Sequence, residues 1–275
     1  MDLGLDGKVA LVAGGSSGLG LAVAKELASE GAQVAIGARD PGRLAAAQRA
    51  LEKVARGRVS TTSVDVTDQM AARRWVDAVA ADFGALHVVL VSGASPGAGA
   101  ASRFAPADYR KALDTVLFPV LHLSHAALPH LKAAGWGRLL YVTSETAYAS
   151  VASLAQSGVT RAAIVRYAQA LAADVARDGI TVNVLAPGPT RTEMVERAAA
   201  RLADGGDLDD MLALMGSHNA MGRIGRPEEF AAVAAFLASE RASFVTGLVH
   251  LIDGGASAKG PEQPYLATVG KDTFV

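Results

Sequence analysis

The chain has 275 residues, a formal net charge of −1 and no cysteine. A chain of this length buries about three quarters of its unfolded surface without disulfide or metal staples. Half of its residues are apolar, which excludes disorder; no basic field offers itself to nucleic acid, and disulfides and thiolate metal sites are excluded outright.

Along the chain, short apolar runs alternate with longer amphipathic stretches. VALVA (9–13) reads as a strand and GLGLAVAKELASEG (18–31) as a helix stopped by glycine. QVAIGA (33–38) is a strand, 41–55 a helix, RVSTTSVD (58–65) a strand, and 67–84 a helix capped by Thr67 or Asp68. HVVLVSG (87–93) is a strand, followed by one long helical region over 106–134. RLLYVTS (138–144) is a strand, 157–178 a helix and ITVNVLAP (180–187) a strand. Helices follow at 192–203, 207–216 and 227–239, and LVHLID (248–253) is the last strand.

This unbroken alternation predicts a single α/β domain, a doubly wound, Rossmann-type parallel sheet covered on both faces. A closed β/α barrel also suits the length, but the glycine pattern argues against it. The predicted domain spans 1–256, with an extension at 257–275. In the extension, Pro261, Pro264, Tyr265 and Phe274 suit an arm docking on a neighbour or a lid; a frayed tail is the equal alternative. Asp2 and Asp6 precede the short run VALVAGG, so no signal peptide is read and a cytoplasmic protein is expected. Thr115 to Leu131 lacks Asp, Glu, Lys and Arg, but it is short for a membrane span and holds Pro119 and Pro129. It reads as a buried helix, with His122, His125 and His130 as packed interface residues rather than metal ligands, since no carboxylate joins them. No metal site and no membrane association are expected.

AGGSSGLG (13–20) joins the first strand to the first helix, with Gly14, Gly18 and Gly20 spaced as GxxxGxG. Close approach to a pyrophosphate, a sharp turn and helix-on-sheet packing each favour glycine, and the helix N-terminus faces the phosphates. After the second strand comes Ala38, then Arg39, where an NAD site would place an acid. An arginine there favours a 2′-phosphate, hence NADP(H) over NAD(H); the plain alternative is a solvated surface arginine. Asp65 and Val66, ending the third strand, are placed to meet an adenine ring.

With these motifs in view, the chain resembles the short-chain dehydrogenase/reductases over about residues 5–256. The glycine loop is theirs, with Ala13 where threonine is usual. NVLAPGPTRTEM (183–194), GRPEE (225–229) and VTGLVHLIDGG (245–255) also fit. The resemblance implies a seven-stranded parallel sheet, a cofactor at its C-terminal edge and usually a tetramer. It assigns Gly14, Ser16, Ser17, Gly18, Leu19 and Gly20 to the cofactor's phosphates. Arg39, Asp65 and Val66 fall at its adenosine end, and Pro187, Gly188, Thr190 and Thr192 at its nicotinamide end.

The family's catalytic set does not match. It normally comprises an asparagine, a serine, and a tyrosine followed four residues on by a lysine. Here those positions hold Val116, Ser144, Ser157 and Arg161. SGAS (92–95) also departs from the family's asparagine-rich turn. A serine hydroxyl is a far weaker acid than a phenol, and arginine stays protonated, so the pair suits binding better than proton transfer. Tyr148, four residues after Ser144, is the first candidate for another proton donor. Glu145, adjacent to Ser144, and His218, in the expected lid segment, are further candidates, with a solvated loop acid and a surface residue as their plainer readings. Dienoyl-CoA reductases and halohydrin dehalogenases also alter the set, but neither pattern fits. The chain is similar to a divergent β-ketoacyl-carrier-protein-reductase-like subgroup in which serine and arginine recur at these positions.

Two functional readings follow. One is an NADP(H)-dependent oxidoreductase with a non-standard site, acting on a small carbonyl, hydroxyl or 3-oxoacyl-type substrate, as a homotetramer or beside a related subunit. The other is a cofactor-binding pseudoenzyme, or the non-catalytic subunit of a hetero-oligomer.

Overall fold

The computed structural model describes residues 2–259. In chain order these form β1 (Val9–Ala13), α1 (Gly18–Ser29), β2 (Gln33–Ala38), α2 (Pro41–Glu52), β3 (Val59–Ser63), α3 (Gln69–Phe83) and β4 (Val88–Ser92). Next come α4 (Pro106–Val116), α5 (Phe118–Ala134), β5 (Gly137–Val142), α6 (Ala155–Val175) and β6 (Ile180–Pro187). The last elements are α7 (Glu193–Ala203), α8 (Leu208–Ser217), α9 (Pro227–Ala238), β7 (Val249–Ile252) and α10 (Ala256–Lys259). Among these residues the strands make one seven-stranded sheet, ordered β3-β2-β1-β4-β5-β6-β7, with every pairing parallel.

Parallel strands buried on both faces read as continuous apolar runs, and β1 and β6 are buried at every position. On one face Trp75 and Val76 of α3, Leu123 and Ala127 of α5, and Ile164 and Ala168 of α6 form a core. On the other, Val23 and Leu27 of α1, Leu44 of α2, and Phe230 and Ala234 of α9 form a second. The order of strands reverses between β1 and β4, which opens the crevice where ligands of such sheets bind.

Side-chain caps fix several helix starts. Asp68, rather than Thr67, caps α3 by accepting from the N–H groups of Met70 and Ala71 at 2.8 and 3.0 Å. Asp40 caps α2 through Arg43 N–H. The helical region expected over 106–134 is two helices that meet at Leu117. Pro119 has no N–H to return to the Thr115 carbonyl, so the helix must restart there. Pro129, by contrast, lies inside α5 on an exposed face, where water can satisfy the freed carbonyl. The helix expected from 157 starts earlier, at Ala155, and gives way to a tighter turn over Ala176–Asp178.

Of the three histidines of α5, His125 is exposed rather than packed, and the other two make polar contacts. His122 Nδ1 lies 3.1 Å from the Val66 carbonyl, and His130 Nε2 lies 2.8 Å from Asp77 Oδ1. Among the described residues no helix is long and apolar enough to cross a membrane. Pro261, Pro264, Tyr265 and Phe274 of the expected arm lie outside the described residues.

Candidate active site

The glycine loop turns where β1 meets α1, at the crevice. Gly14 has φ +76°, and a Cβ on it would stand 2.1 Å from the Ser92 carbonyl oxygen. A Cβ on Gly20 would stand 2.3 Å from the Gly14 carbonyl oxygen. No other residue type fits either position. Ser17 is the N-cap of α1, yet its hydroxyl makes no capping bond. The first N–H groups of the helix are therefore open to an anion, with the half-buried Ser16 beside them. Leu19 packs inward against the second core.

At the β2–β3 end, Arg39 is exposed, and its guanidinium has no hydrogen-bond or ion-pair partner among the described residues; only its carbonyl is used, by Ser63 Oγ. Asp65 spends Oδ1 on its own turn, accepting from Thr67 N–H at 3.0 Å and Thr67 Oγ1 at 2.8 Å. Val66 packs against the first core.

At the other end, Pro187 closes β6 and Gly188 N–H donates to the Ile252 carbonyl. Thr190 is buried and donates its hydroxyl to the Gly188 carbonyl at 3.0 Å. Thr192 caps α7, and its methyl lies 3.6 Å from where a Cβ on Gly18 would stand. The crevice is thus walled by the glycine loop on one side and the β6–α7 loop on the other. Its cradle, its free helix N-terminus and its unpaired Arg39 fit a phosphorylated dinucleotide. GRPEE serves a different purpose. Glu229 accepts from both Arg223 nitrogens and from Arg226 N–H, bonds that hold its pKa down at about 2, and it fixes the start of α9.

The residues at the family's catalytic positions fall into two groups. Ser157, 5% exposed, and Arg161, 8% exposed, sit one turn apart on α6. Arg161 Nη1 donates to Ser157 Oγ at 2.8 Å, and Ser157 Oγ lies 2.7 Å from Thr146 Oγ1. Ser157 is therefore engaged on both sides. Arg161 Nε is buried with no partner, and no carboxylate pairs with this guanidinium among the described residues. Burial lowers its pKa to about 10, so it is still a cation at neutral pH. Ser144 is half-buried on the turn after β5, where its Oγ accepts from Thr146 N–H at 3.3 Å. Val116 is buried in the first core. Tyr148 is 69% exposed, and its hydroxyl has no partner among the described residues. His218 is exposed at the end of α8.

Sequence reasoning passed over two neighbours, Thr146 and Asp253, and ranked a third, Glu145, below Tyr148. Thr146 links Ser144 to Ser157. Glu145, read as a solvated loop acid, is half-buried, and its Oε2 lies 3.2 Å from where a Cβ on Gly188 would stand. Asp253, just past β7, lies against Gly188 too and accepts from the N–H groups of Gly255 and Ser257, each at 2.9 Å. The only local signal for all three was their place at strand ends.

A family model described as enoyl-(acyl carrier protein) reductase matches residues 13–257. Cis-4-hydroxycyclohexanecarboxylate dehydrogenase of Sinomonas cyclohexanicum is 35% identical over 257 residues, which cover 91% of this chain and 97% of that protein. Gluconate 5-dehydrogenase of Gluconobacter oxydans (strain 621H) is 32% identical over 252 residues, covering 91% and 95%. The crystal structure of L-sorbose reductase from Gluconobacter frateurii, complexed with NADPH and L-sorbose, superimposes with a TM-score of 0.89 at 30% identity, covering 93% of this chain and 98% of that one. With the crevice, the strand order and these matches in agreement, the chain belongs to the short-chain dehydrogenase/reductase superfamily.

Proposed function

We propose that the protein is an NADP(H)-dependent oxidoreductase that interconverts a small hydroxyl compound and its carbonyl, a 3-oxoacyl compound included. The single observation that carries this reading is the intact crevice: a glycine cradle closed to any side chain, a helix N-terminus with a free cap, and Arg39 unpaired where a 2′-phosphate would fall. The relatives support the substrate class, since their names include a hydroxycyclohexanecarboxylate, gluconate and L-sorbose as substrates. When bound, the nicotinamide supplies or takes up a hydride. Arg161, held by Ser157, would hold the nicotinamide ribose through its unspent nitrogen, and Ser144 would orient the substrate oxygen. Exposed Phe118 and Phe244 support assembly with further copies or a related subunit. The same reading makes it a cytoplasmic protein.

A second reading has its own observation. Ser157 is buried and spends its hydroxyl on Thr146 and Arg161, and neither it nor Arg161 can move a proton at neutral pH. That arrangement suits a protein that binds the cofactor without turnover, or a non-catalytic subunit.

Titration with NADPH and with NADH, followed by nicotinamide fluorescence, tests the first reading. NADPH is expected to bind in the micromolar range and NADH about tenfold more weakly, the worth of one charge-assisted contact. Arg39→Ala should bring the two together. No binding of either cofactor would sink the oxidoreductase reading.

A further inference from the structure

The proton that reduces a carbonyl to an alcohol needs a donor; Ser157 is spent on Thr146 and Arg161, Arg161 stays a cation, and Tyr148 is 69% exposed with its hydroxyl unpartnered among the described residues. We propose that Glu145 is the proton donor and acceptor of this site, standing in for the missing tyrosine; the assignment rests on the oxidoreductase reading above.

Four observations place it. Glu145 directly follows Ser144, whose hydroxyl is free to donate to a substrate oxygen while it accepts from Thr146 N–H. Its carboxylate reaches Gly188, at the nicotinamide end of the crevice, with Oε2 3.2 Å from where a Cβ on that glycine would stand. That carboxylate has no hydrogen-bond or ion-pair partner among the described residues, so it is not spent on the fold. It is also half-buried, more than a loop acid with no structural task needs to be.

The electrostatics agree. Burial, and then the charge of Asp253, push the Glu145 carboxyl above the ordinary glutamate range. Asp253, past β7, stays ionised. Burial opposes its charge, but bonds from the Ser257 side chain and from the Ser257 and Gly255 N–H groups outweigh it. On α6, Arg161 turns its bonded nitrogen to Ser157 rather than to Glu145. Thr190 and Thr192, on the β6–α7 loop, are neutral. Two carboxyls with opposed shifts divide the work as acid–base sites do, Glu145 moved toward its protonated form and Asp253 toward its anion.

The step balances. Glu145 would give its carboxyl proton to the carbonyl oxygen, and a bound reduced nicotinamide would supply the hydride to the carbonyl carbon. C=O would become CH–OH at the expense of the reduced cofactor, and the carboxylate would recover a proton from water. In reverse the carboxylate takes the alcohol proton. Reduction therefore needs the protonated form and slows as pH rises through the raised pKa, whereas oxidation speeds up.

The test uses the full chain labelled with ¹³C at the glutamate carboxyls, with Glu145→Gln identifying the resonance. NADPH binding is measured on both samples by fluorescence. The Glu145 resonance is expected to titrate above its siblings and to move to lower pH when NADP⁺, with its cationic ring, is added. Titration in the ordinary glutamate range, or no response to NADP⁺ in a sample that binds it, overturns the assignment and leaves the oxidoreductase reading intact. Failure of wild type to bind either nucleotide form overturns both. For any ketone in a panel of cyclic and sugar ketones that wild type reduces, Glu145→Gln should lower kcat by about 10²- to 10⁴-fold with the NADPH Kd unchanged. A kcat kept within about threefold overturns the assignment, because a general acid contributes far more than that. The titration decides it whether or not such a ketone is found.

Discussion

Among the described residues two arginines are buried with no carboxylate in ion-pair contact, and they are buried in different settings. Arg138 lies at the start of β5, at the edge of the sheet away from the crevice, and is 1% exposed. It gives Nε to the Ser239 carbonyl at 3.1 Å and Nη1 to the Gly137 carbonyl at 2.8 Å, and its guanidinium stacks 4.0 Å from the centre of the Trp136 ring. Arg161 is nearly as buried, but it has one hydroxyl for a partner and an orphaned Nε. Burial brings both pKa values down to about 10, so both remain cations. A buried cation is tolerated when its donors are satisfied, and one that is not marks a place where a ligand completes the set. The comparison separates an arginine whose donors the fold satisfies from one that it leaves with an unpaired donor, as the proposed hold on the cofactor requires.

The largest expected effect falls on the first of the pair. Arg138→Ala removes several charged hydrogen bonds, a cation–π contact and a packed stem, and leaves the Ser239 and Gly137 carbonyls short of donors. The expected loss is about 3 kcal/mol, a fall in Tm of roughly 6–12 °C for a domain of this size. The NADPH Kd should not move. A loss below about 1 kcal/mol would mean that the carbonyls find water and that burial alone does not make an arginine structural.

Arg161→Met should behave in the opposite way. The free protein loses one hydrogen bond and an uncompensated charge, so its Tm should hold or rise. NADPH binding should weaken by roughly 10- to 100-fold, the worth of about 1.5–3 kcal/mol for a bond from a charged donor. Thermal unfolding with and without NADPH reads both terms at once. If Arg161→Met lowers Tm as far as Arg138→Ala does, the contrast between the two arginines collapses and Arg161 is a fold residue.

How much of this the sequence disclosed follows from what is local. Period and caps are local, so the seven strands could be read from the chain, and the cap of α3 could be narrowed to Thr67 or Asp68. The glycine loop was legible because steric exclusion at Gly14 and Gly20 leaves one residue type. The break at Leu117 was signalled by Pro119 and missed, because the apolar pattern runs straight through it. Ser157 and Arg161 were visible as departures, but their bond to each other, and Ser157's bond to Thr146, depend on how α6 lies on the turn after β5. Glu145 is the sharpest case. Nothing in SETAY distinguishes a solvated acid from a half-buried one. Its character comes from Gly188 and Asp253, brought beside it by the pairing of β5 with β6 and β6 with β7.

That character has a cost, and it yields the smallest of the expected effects. The folded-state pKa of Glu145 lies above its unfolded value because burial and Asp253 disfavour the carboxylate. The folded chain therefore binds this proton more tightly than the unfolded chain. Stability is lost as pH rises from the ordinary glutamate range, about 4.3, through the raised value, and the loss persists at neutral pH. Glu145→Gln removes the titration while keeping the shape. Its Tm should exceed that of wild type at pH 8, and the gap should close as the pH falls below the ordinary carboxylate range. Asp253→Asn should run the other way, because Asp253 ionises more readily when folded and its bonds stabilise the chain above its unfolded pKa. Matching Tm–pH curves for wild type and Glu145→Gln would mean that water reaches the carboxylate freely beside Gly188, and that it differs in no way from the solvated acid its sequence suggests.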